Sequence, residues 1–355
     1  MTIVHVLEPF ATGVTSAIAA LTEQLSGLEH VVVHGARTGA DTQEAVRRRF
    51  PPGVRFIPWI QVVREISPSK DVRALGELMG ILGAFRDTET VVHLHSSKAG
   101  FLGRLACALL RIRPVVYTPH GASFIRTDIG PLKRGLFRLL ERVGGRFGGV
   151  VAGCGPSEAA LYSALGKPAL CIPNGVALRA PAGLKRERRA SFTGLASAQK
   201  DPAFFNRVAL ALPDHSFCWI GDGPLRGKLS APNITVTGWT GREAVAEELE
   251  RSEVFLSTAA WEGLPYGVLE AMNASCALLL RDVPGNRDLV RPGENGYLFR
   301  SEGEAAELLS RMLADSGGLR AMGRKSRELA EAEYSVEKMA ASYGRLYEAL
   351  LRGES

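Results

Sequence analysis

Two glutamates, Glu262 and Glu270, stand eight residues apart in the string Glu262-Gly-Leu-Pro-Tyr-Gly-Val-Leu-Glu270, just after a short apolar run at Val254–Ser257. Gly263 and Pro265 break the chain. Apolar residues at helical spacing resume near Tyr266 and continue through Leu269, Ala271 and Met272. The N–H groups of Tyr266, Gly267 and Val268 then open a helix, where backbone donors lack intrahelical partners and the dipole favours an anion such as a diphosphate. The two carboxylates would flank that anion and accept hydrogen bonds from hydroxyls, one from a sugar and the other from a ribose. The plainer alternative is a helix with two solvated glutamates.

Other residues could serve the same chemistry. Lys200, in GLASAQKDP, precedes a helix start and can neutralise a diphosphate as a point charge; beside Asp201 it could equally be an exposed lysine. His120 ends a strand and is followed by Gly121. His93 and His95 alternate with Leu94 and so face one side of a strand, where both could be core histidines. His95 leads into Ser96-Ser97-Lys98 at a helix start, a second corner suited to an anion or an acceptor. His5, His30, His34 and His215 read as structural. Gly13 follows the first strand and opens a helix, but EPFATG is not a G-x-G-x-x-G fingerprint, which disfavours a dinucleotide oxidoreductase.

The elements that carry these residues alternate strand, turn and helix. Apolar runs at 3–7, 31–33, 91–94, 115–118 and 150–152 are separated by helix-period segments at 15–25, 99–110, 132–146 and 157–165. Strands that are nearly all apolar suit a parallel sheet covered on both faces, joined by right-handed crossovers. Residues 173–191 read as a linker. The alternation restarts at 191–193 and continues at 217–220, 234–237, 254–257 and 277–280. The expected organisation is α/β: a first doubly wound domain over 1–170, a second over 171–335, and a C-terminal helix over 336–355 that packs back on the first. Ligands bind at the carboxyl ends of such strands, and the candidate residues lie there.

The 355 residues carry a formal charge of +6, with 46 % hydrophobic and 23 % charged residues, as in an ordinary globular protein. Residues 1–170 hold 20 Lys/Arg against 13 Asp/Glu, and residues 171–355 hold 23 against 24. The basic excess therefore belongs to the first half, which should prefer an anionic partner. The segment 126–146 reads as a loop and a basic helix, with Leu132, Leu136, Leu139, Leu140 and Val143 as its apolar stripe and Lys133, Arg134, Arg138 and Arg142 as cations. Two readings stand: a surface helix with its apolar side in the core, or a helix lying on an anionic membrane face. Interleaved aromatic and basic residues are absent, which disfavours nucleic acid. No apolar run reaches the roughly 18 residues of a membrane span. The N-terminus does not read as a signal peptide, and the five scattered cysteines suggest neither zinc nor disulfides. A cytoplasmic protein, peripheral on the inner membrane face, fits these features.

The run SxxxWEGLPYGVLEAM…DVPGNRDLVRPGENGYLF resembles the retaining glycosyltransferases of family 4, which have the GT-B fold of two Rossmann-like domains facing across a cleft. FCWIGDGPLR is similar to the family's glycine-rich turn, IPNGV to the opening of its second domain, and VYTPHG to the first-domain strand ending in histidine. HLHSSKAGFLGR resembles the polysaccharide-assembly branch. The resemblance implies a hexosyltransferase that moves a sugar from a UDP- or GDP-linked donor to a saccharide, with a polyprenyl-diphosphate-linked acceptor. It implies His120, Glu262 and Lys200 as catalytic, and Gly13, Gly221, Asp222, Tyr266, Gly267, Val268 and Glu270 as donor-binding. His95, Ser96 and Lys98 would serve the acceptor. No D-x-D string offers a metal site, so neither a metal nor another cofactor is expected. One departure stands out: the family usually has an arginine shortly before the lysine, and none occurs between Phe192 and Lys200. A substitute basic residue, a non-catalytic partner subunit with a weakened nucleotide site, or a nucleotide-sugar hydrolase or epimerase are the alternatives.

Overall fold

The computed structural model describes residues 1–37, 42–86, 88–166, 168–187 and 189–354. The chain forms two compact units: Met1–Ile125 with Gly130–Asn174 and Val336–Ser355, and Arg126–Ile129 with Gly175–Ser335.

The first unit is built on β1 (Thr2–Pro9), β2 (Glu29–Arg37), β3 (Arg55–Pro58), β4 (Thr90–His95), β5 (Val115–Thr118), β6 (Val150–Gly153) and β7 (Ala169–Cys171). Their order is β3-β2-β1-β4-β5-β6-β7, and each paired strand is parallel to its neighbour. The crossovers carry α1 (Thr12–Gln24), α2 (Gln43–Arg47), α3 (Pro68–Gly83), α4 (Ser96–Leu110), α5 (Pro131–Arg146) and α6 (Pro156–Ser163). The second unit has β8 (Arg189–Thr193), β9 (Ser216–Ile220), β10 (Ile234–Val236), β11 (Val254–Ser257), β12 (Ala277–Arg281) and β13 (Gly296–Phe299), ordered β10-β9-β8-β11-β12-β13 and again parallel. Its helices are α7 (Pro202–Ala211), α8 (Arg242–Glu250), α9 (Tyr266–Asn273), α10 (Glu302–Ala314) and α11 (Ser316–Glu333). The last helix, α12 (Val336–Leu351), returns to the first unit.

Strand periodicity sorts the first core into two faces. Val4, Val6, Val31, Val33, Val92, Leu94 and Tyr117 pack with Leu78 and Leu82 of α3 and Leu102 and Ala106 of α4. On the other face, Ile3, Val91 and Val116 pack with Leu21 of α1 and with Met339, Ala340, Tyr343 and Tyr347 of α12. The order of strands reverses between β1 and β4 in the first sheet and between β8 and β11 in the second. Diverging crossovers leave a crevice at each of these switch points, outside the carboxyl ends of the strands.

The second sheet begins inside the segment read as a linker. Arg189 hides that start, because a charged residue does not read as strand. Its guanidinium is buried by pairing, with Glu248 at 2.6 Å and Glu187 at 2.9 Å.

Helix α5 departs further from simple amphipathic packing. Leu132, Leu136 and Leu139 are 92 %, 44 % and 54 % exposed while Leu140 and Val143 are half-buried, so three of the five stripe residues face away from the core. The buried side presents Glu141 and Gly144 instead. Glu141 accepts from Arg104 Nη2 at 2.9 Å and from the Tyr117 hydroxyl at 2.8 Å. Gly144 makes room for the guanidinium, since a Cβ there would lie 2.6 Å from Arg104 Nη2. A buried ion pair thus holds α5 on α4 and frees its leucines to face outward. Among the described residues no helix is long and apolar enough to cross a membrane.

Replacing one partner of a buried pair strands the other charge. Arg104→Met should therefore lower the unfolding free energy by about 3 kcal/mol in urea titrations, and the double variant with Glu141→Leu should recover much of that loss.

Candidate active site

At the switch point of the second sheet, β8 ends in Thr193 and runs into Gly194–Lys200, while β11 ends in Ser257 and runs into Thr258–Glu262. The two loops are tied by hydrogen bonds. Ala260 N–H donates to the Gln199 carbonyl at 2.8 Å, and the Thr258 hydroxyl donates to the Lys200 carbonyl at 2.8 Å. Asp201 caps α7 by accepting from Phe204 N–H at 3.1 Å, which fixes where Lys200 leaves the loop. The result is a direct ion pair between Lys200 Nζ and Glu262 Oε1. Gln199 Nε2 donates to the second Glu262 oxygen at 3.3 Å and to the Trp261 carbonyl at 3.1 Å. Glu262 is 6 % exposed, so these partners hold a carboxylate that burial alone would disfavour. Sequence reasoning missed Gln199, one residue before a lysine already singled out.

Helix α9 begins behind this pair with Pro265 as its N-cap and no side-chain cap. One correction applies to the three proposed donors: Val268 N–H already bonds the Pro265 carbonyl at 3.1 Å, because the first turn closes on itself. Gly267 N–H makes no hydrogen bond among the described residues, so it remains open to an anion. Its lack of a side chain is required, since a Cβ would lie 2.7 Å from Thr193 Cγ2. The helix end therefore sits against the tip of β8. Glu270, one turn on, is half-buried. Desolvation raises its carboxyl to about 7, opposed by the positive charges of Arg242 and Arg179. These two arginines are distant in sequence from Lys200, and no local string could reveal them.

The glycine-rich turn after β9 packs on the loop after β8. A Cβ on Gly221, whose φ is +137°, would lie 2.5 Å from the Gly194 carbonyl oxygen. Asp222 shapes the turn, accepting from Gly223 N–H at 2.8 Å and pairing with Arg226 at 3.0 Å. Its side chain is thus engaged within its own loop.

In the first unit, β4 and β5 end side by side, with His95 in register with Thr118. His120 follows two residues later with φ at +54°, and Gly121 with φ at +106°. Glu158 secures this left-handed turn by accepting from Gly121 N–H at 2.6 Å and from Cys154 N–H at 2.8 Å. Burial raises the Glu158 carboxyl, and the two amides oppose that rise. His120 Nε2 meets His95 Nδ1 at 2.9 Å, and burial pushes the His120 imidazole down to about 4. It is a neutral ring at physiological pH.

The acceptor residues are placed differently from their sequence reading. His95 is 1 % exposed, and both of its ring nitrogens hold other histidines. It has no edge to offer an acceptor and instead holds His120. Lys98 pairs with Asp71 at 2.6 Å and donates to the Glu65 carbonyl at 2.8 Å, tethering α4 to α3. Ser96 opens α4 with φ at +68°, and Gly13 lies in the first turn of α1 at the same switch point. His93 bonds the Tyr347 hydroxyl at 2.7 Å and Thr118 at 2.9 Å, as a core histidine. His5 and His30, read as structural, join His95 (3.1 Å from His5 to His95, 3.3 Å from His5 to His30). The available signal was the presence of histidines inside apolar strands, one in β1 and two each in β2 and β4.

Two Rossmann-like units, one carrying a lysine, a buried carboxylate and an uncapped helix end at its switch point, place the chain in the GT-B class. Comparisons with known proteins agree. Residues 190–315 match the family described as glycosyl transferases group 1, and residues 12–175 match the glycosyl transferase 4-like domain. An Escherichia coli protein, UDP-Gal:alpha-D-GlcNAc-diphosphoundecaprenol alpha-1,3-galactosyltransferase, is 30 % identical over 286 residues, covering 69 % of this chain and 70 % of the relative. A sucrose-phosphate synthase from Thermosynechococcus elongatus superposes with a TM-score of 0.82 at 18 % identity, covering 99 % of this chain and 100 % of that one. Anabaena HepE, in complex with UDP and glucose, superposes at 0.80 with 14 % identity, again over 99 % and 100 %. The chain belongs to the family 4-like glycosyltransferases, with the GT-B fold.

The Lys200–Glu262 pair gives a stability test. Lys200→Met leaves Glu262 buried and half-partnered, and should lower the unfolding free energy by about 2–3 kcal/mol in urea melts. Adding Glu262→Gln should restore most of that loss, because the pair acts as one unit.

Proposed function

We propose that this glycosyltransferase retains anomeric configuration and moves a hexose from a UDP-sugar to a saccharide carried on a polyprenyl diphosphate. The Lys200–Glu262 pair beside the open end of α9 carries this reading. A diphosphate arriving at Gly267 N–H meets Lys200, whose present partner is a carboxylate, and displaces part of that pairing. Glu262 is then released to accept a donor-sugar hydroxyl, and Glu270 accepts from the ribose. The bond from the anomeric carbon to the diphosphate breaks. A new bond to the acceptor oxygen forms on the same face, and the acceptor proton passes to the departing phosphate oxygen. Lys200 and the helix end stabilise the charge that develops on that phosphate, an electrostatic contribution that needs no protein nucleophile. His120 serves the transferred sugar. No metal is assigned a role, and the rate should be unchanged by EDTA.

UDP is the favoured nucleotide because the Escherichia coli relative is named for UDP-Gal and HepE was solved with UDP. That relative's acceptor is a sugar on diphosphoundecaprenol, which supports a lipid-linked acceptor here. The outward leucines of α5, with Lys133, Arg138 and Arg142 exposed on the same helix, support docking on an anionic membrane face. A donor screen read by nucleotide release, with a lipid-linked saccharide present, tests the whole reading; no release with any UDP-sugar would remove it.

Glu270 makes the donor site pH-dependent. With its carboxyl at about 7 in the free protein, it is largely protonated at pH 6 and largely charged at pH 8. Ribose hydroxyls favour the charged form, so binding releases a proton and tightens as pH rises. Calorimetry with a UDP-sugar, whose diphosphate diester does not titrate in this range, should show roughly tenfold stronger binding at pH 8 than at pH 6. Glu270→Gln should bind weakly at both pH values, with a flat profile.

For the membrane face, sedimentation with vesicles containing anionic lipid should pellet the wild type. The triple variant Leu132→Ser, Leu136→Ser, Leu139→Ser should remain in the supernatant at unchanged thermal stability. Equal pelleting of the two would refute the docking role of α5.

A further inference from the structure

Four imidazoles form one hydrogen-bonded file across the first sheet. His30 on β2 places Nε2 3.0 Å from the Leu25 carbonyl and Nδ1 3.3 Å from His5 Nε2. His5 on β1 places Nδ1 3.1 Å from His95 Nε2, and His95 at the end of β4 places Nδ1 2.9 Å from His120 Nε2. The file follows the strand order β2-β1-β4-β5.

Its polarity is fixed at one end. A carbonyl oxygen can only accept, so His30 carries its hydrogen on Nε2. A neutral imidazole has a single N–H, so His30 Nδ1 must accept, and His5 must donate from Nε2. The same rule passes through His95 to His120. His120 donates from Nε2, and its Nδ1 is left as a lone pair with no hydrogen-bond partner among the described residues. The reverse polarity would set a His30 lone pair against the Leu25 oxygen. An added proton would relax the rule, but burial holds His5 and His95 well below the ordinary imidazole range and lowers His30 and His120. Of the other polar groups on this face, His93, Thr118, Tyr343 and Tyr347 bond one another, and His34 bonds the Gly35 carbonyl at 2.9 Å and Arg47 at 3.1 Å, so these leave the file intact.

One ring nitrogen from each of His5, His93 and His95 also lies within 4.8 Å of the other two, as metal ligands would. All six of those nitrogens are already hydrogen-bonded. A metal ion there would have to break the file.

We propose that His95, His5 and His30 are positioning residues that set His120 as a hydrogen-bond acceptor at Nδ1, so that it receives a hydroxyl and disfavours an acceptor-only group such as a carboxylate. This rests on the reading that His120 serves the transferred sugar. The file gives a half-buried ring a defined tautomer without a buried carboxylate behind it.

The test has two arms. Long-range proton–nitrogen correlation spectra of the full chain labelled on histidine nitrogen, without substrate at pH 7, report each tautomer directly. His30, His5, His95 and His120 should all appear as the Nε2–H form. His120 as the Nδ1–H form or as imidazolium overturns the proposal, as does stoichiometric zinc in the purified protein. Because this arm uses no donor, it stands apart from any failure of the transferase reading. The second arm is kinetic. His30→Leu, three rings from His120, should lower kcat about tenfold, with donor KM and UDP affinity within about twofold. His95→Gln keeps the polarity, since its amide can donate to His5 and accept from His120, and should retain most of the activity that His95→Leu loses. Equal loss in those two variants overturns the proposal.

Discussion

The constraint on which the rest depends is parallel pairing. Each described strand of both sheets runs parallel to its neighbours, so within a sheet the carboxyl ends share one edge. Every loop that follows a strand opens on that edge, and at β8 and β11, where the strand order reverses, two such loops meet. Lys200 and Glu262 lie 62 residues apart in sequence and meet only because their strands are neighbours. The same logic brings His95 and His120 together from β4 and β5. Neither pair needs a local motif, and neither would survive a register shift in its sheet.

Covering both faces of a parallel sheet demands apolar strands, and the first unit breaks that demand in a controlled way. On the face under α1 and α12, six histidines replace apolar side chains or follow strand ends, and each described ring nitrogen inside the sheet has a partner. Tyr343 and Tyr347 of α12 supply hydroxyls to Thr118 and His93, at 2.9 and 2.7 Å. The return of the last helix to the first unit therefore completes a polar network as well as an apolar core. Buried polar groups carry little penalty when satisfied and a large one when not. That asymmetry ties the C-terminal helix to the strand that ends near His120.

Much of the architecture was legible in the sequence, and the failures share a cause. Central strands such as β1, β4 and β11 are continuous apolar runs because both faces are buried. The strands that escaped notice, β3, β7 and β13, are all sheet edges of only three or four residues, too short to show a period. The site loops were visible because glycine and proline mark them. Their partners were not: Gln199, Glu158, Arg179 and Arg242 act through tertiary proximity that spacing does not encode. His95 illustrates the limit of period-two reasoning, which gave its face correctly but could not say whether that face was open or sealed beneath α12. Helix α5 shows the converse. Its apolar stripe was read correctly, while the buried Arg104–Glu141 pair that turns the stripe outward involves a residue 37 positions away.

The uneven charge of the chain takes on a specific meaning from these placements. In the second half, acidic and basic residues nearly balance, and the proposed phosphate site draws on one helix end and on a lysine already neutralised by Glu262. On the proposed reading such a site attracts anions weakly from a distance but strongly on contact, because the incoming diphosphate would replace a carboxylate that then turns to a hydroxyl. Binding energy is thereby conditional on a ligand that brings both groups, which favours a nucleotide sugar over a free nucleotide. The excess positive charge of the first half is carried in part by exposed cations on α5 beside outward leucines, a combination suited to a surface that is both anionic and apolar. On the proposed reading, long-range charge directs the protein to the membrane that holds its acceptor, and short-range exchange of partners selects its donor.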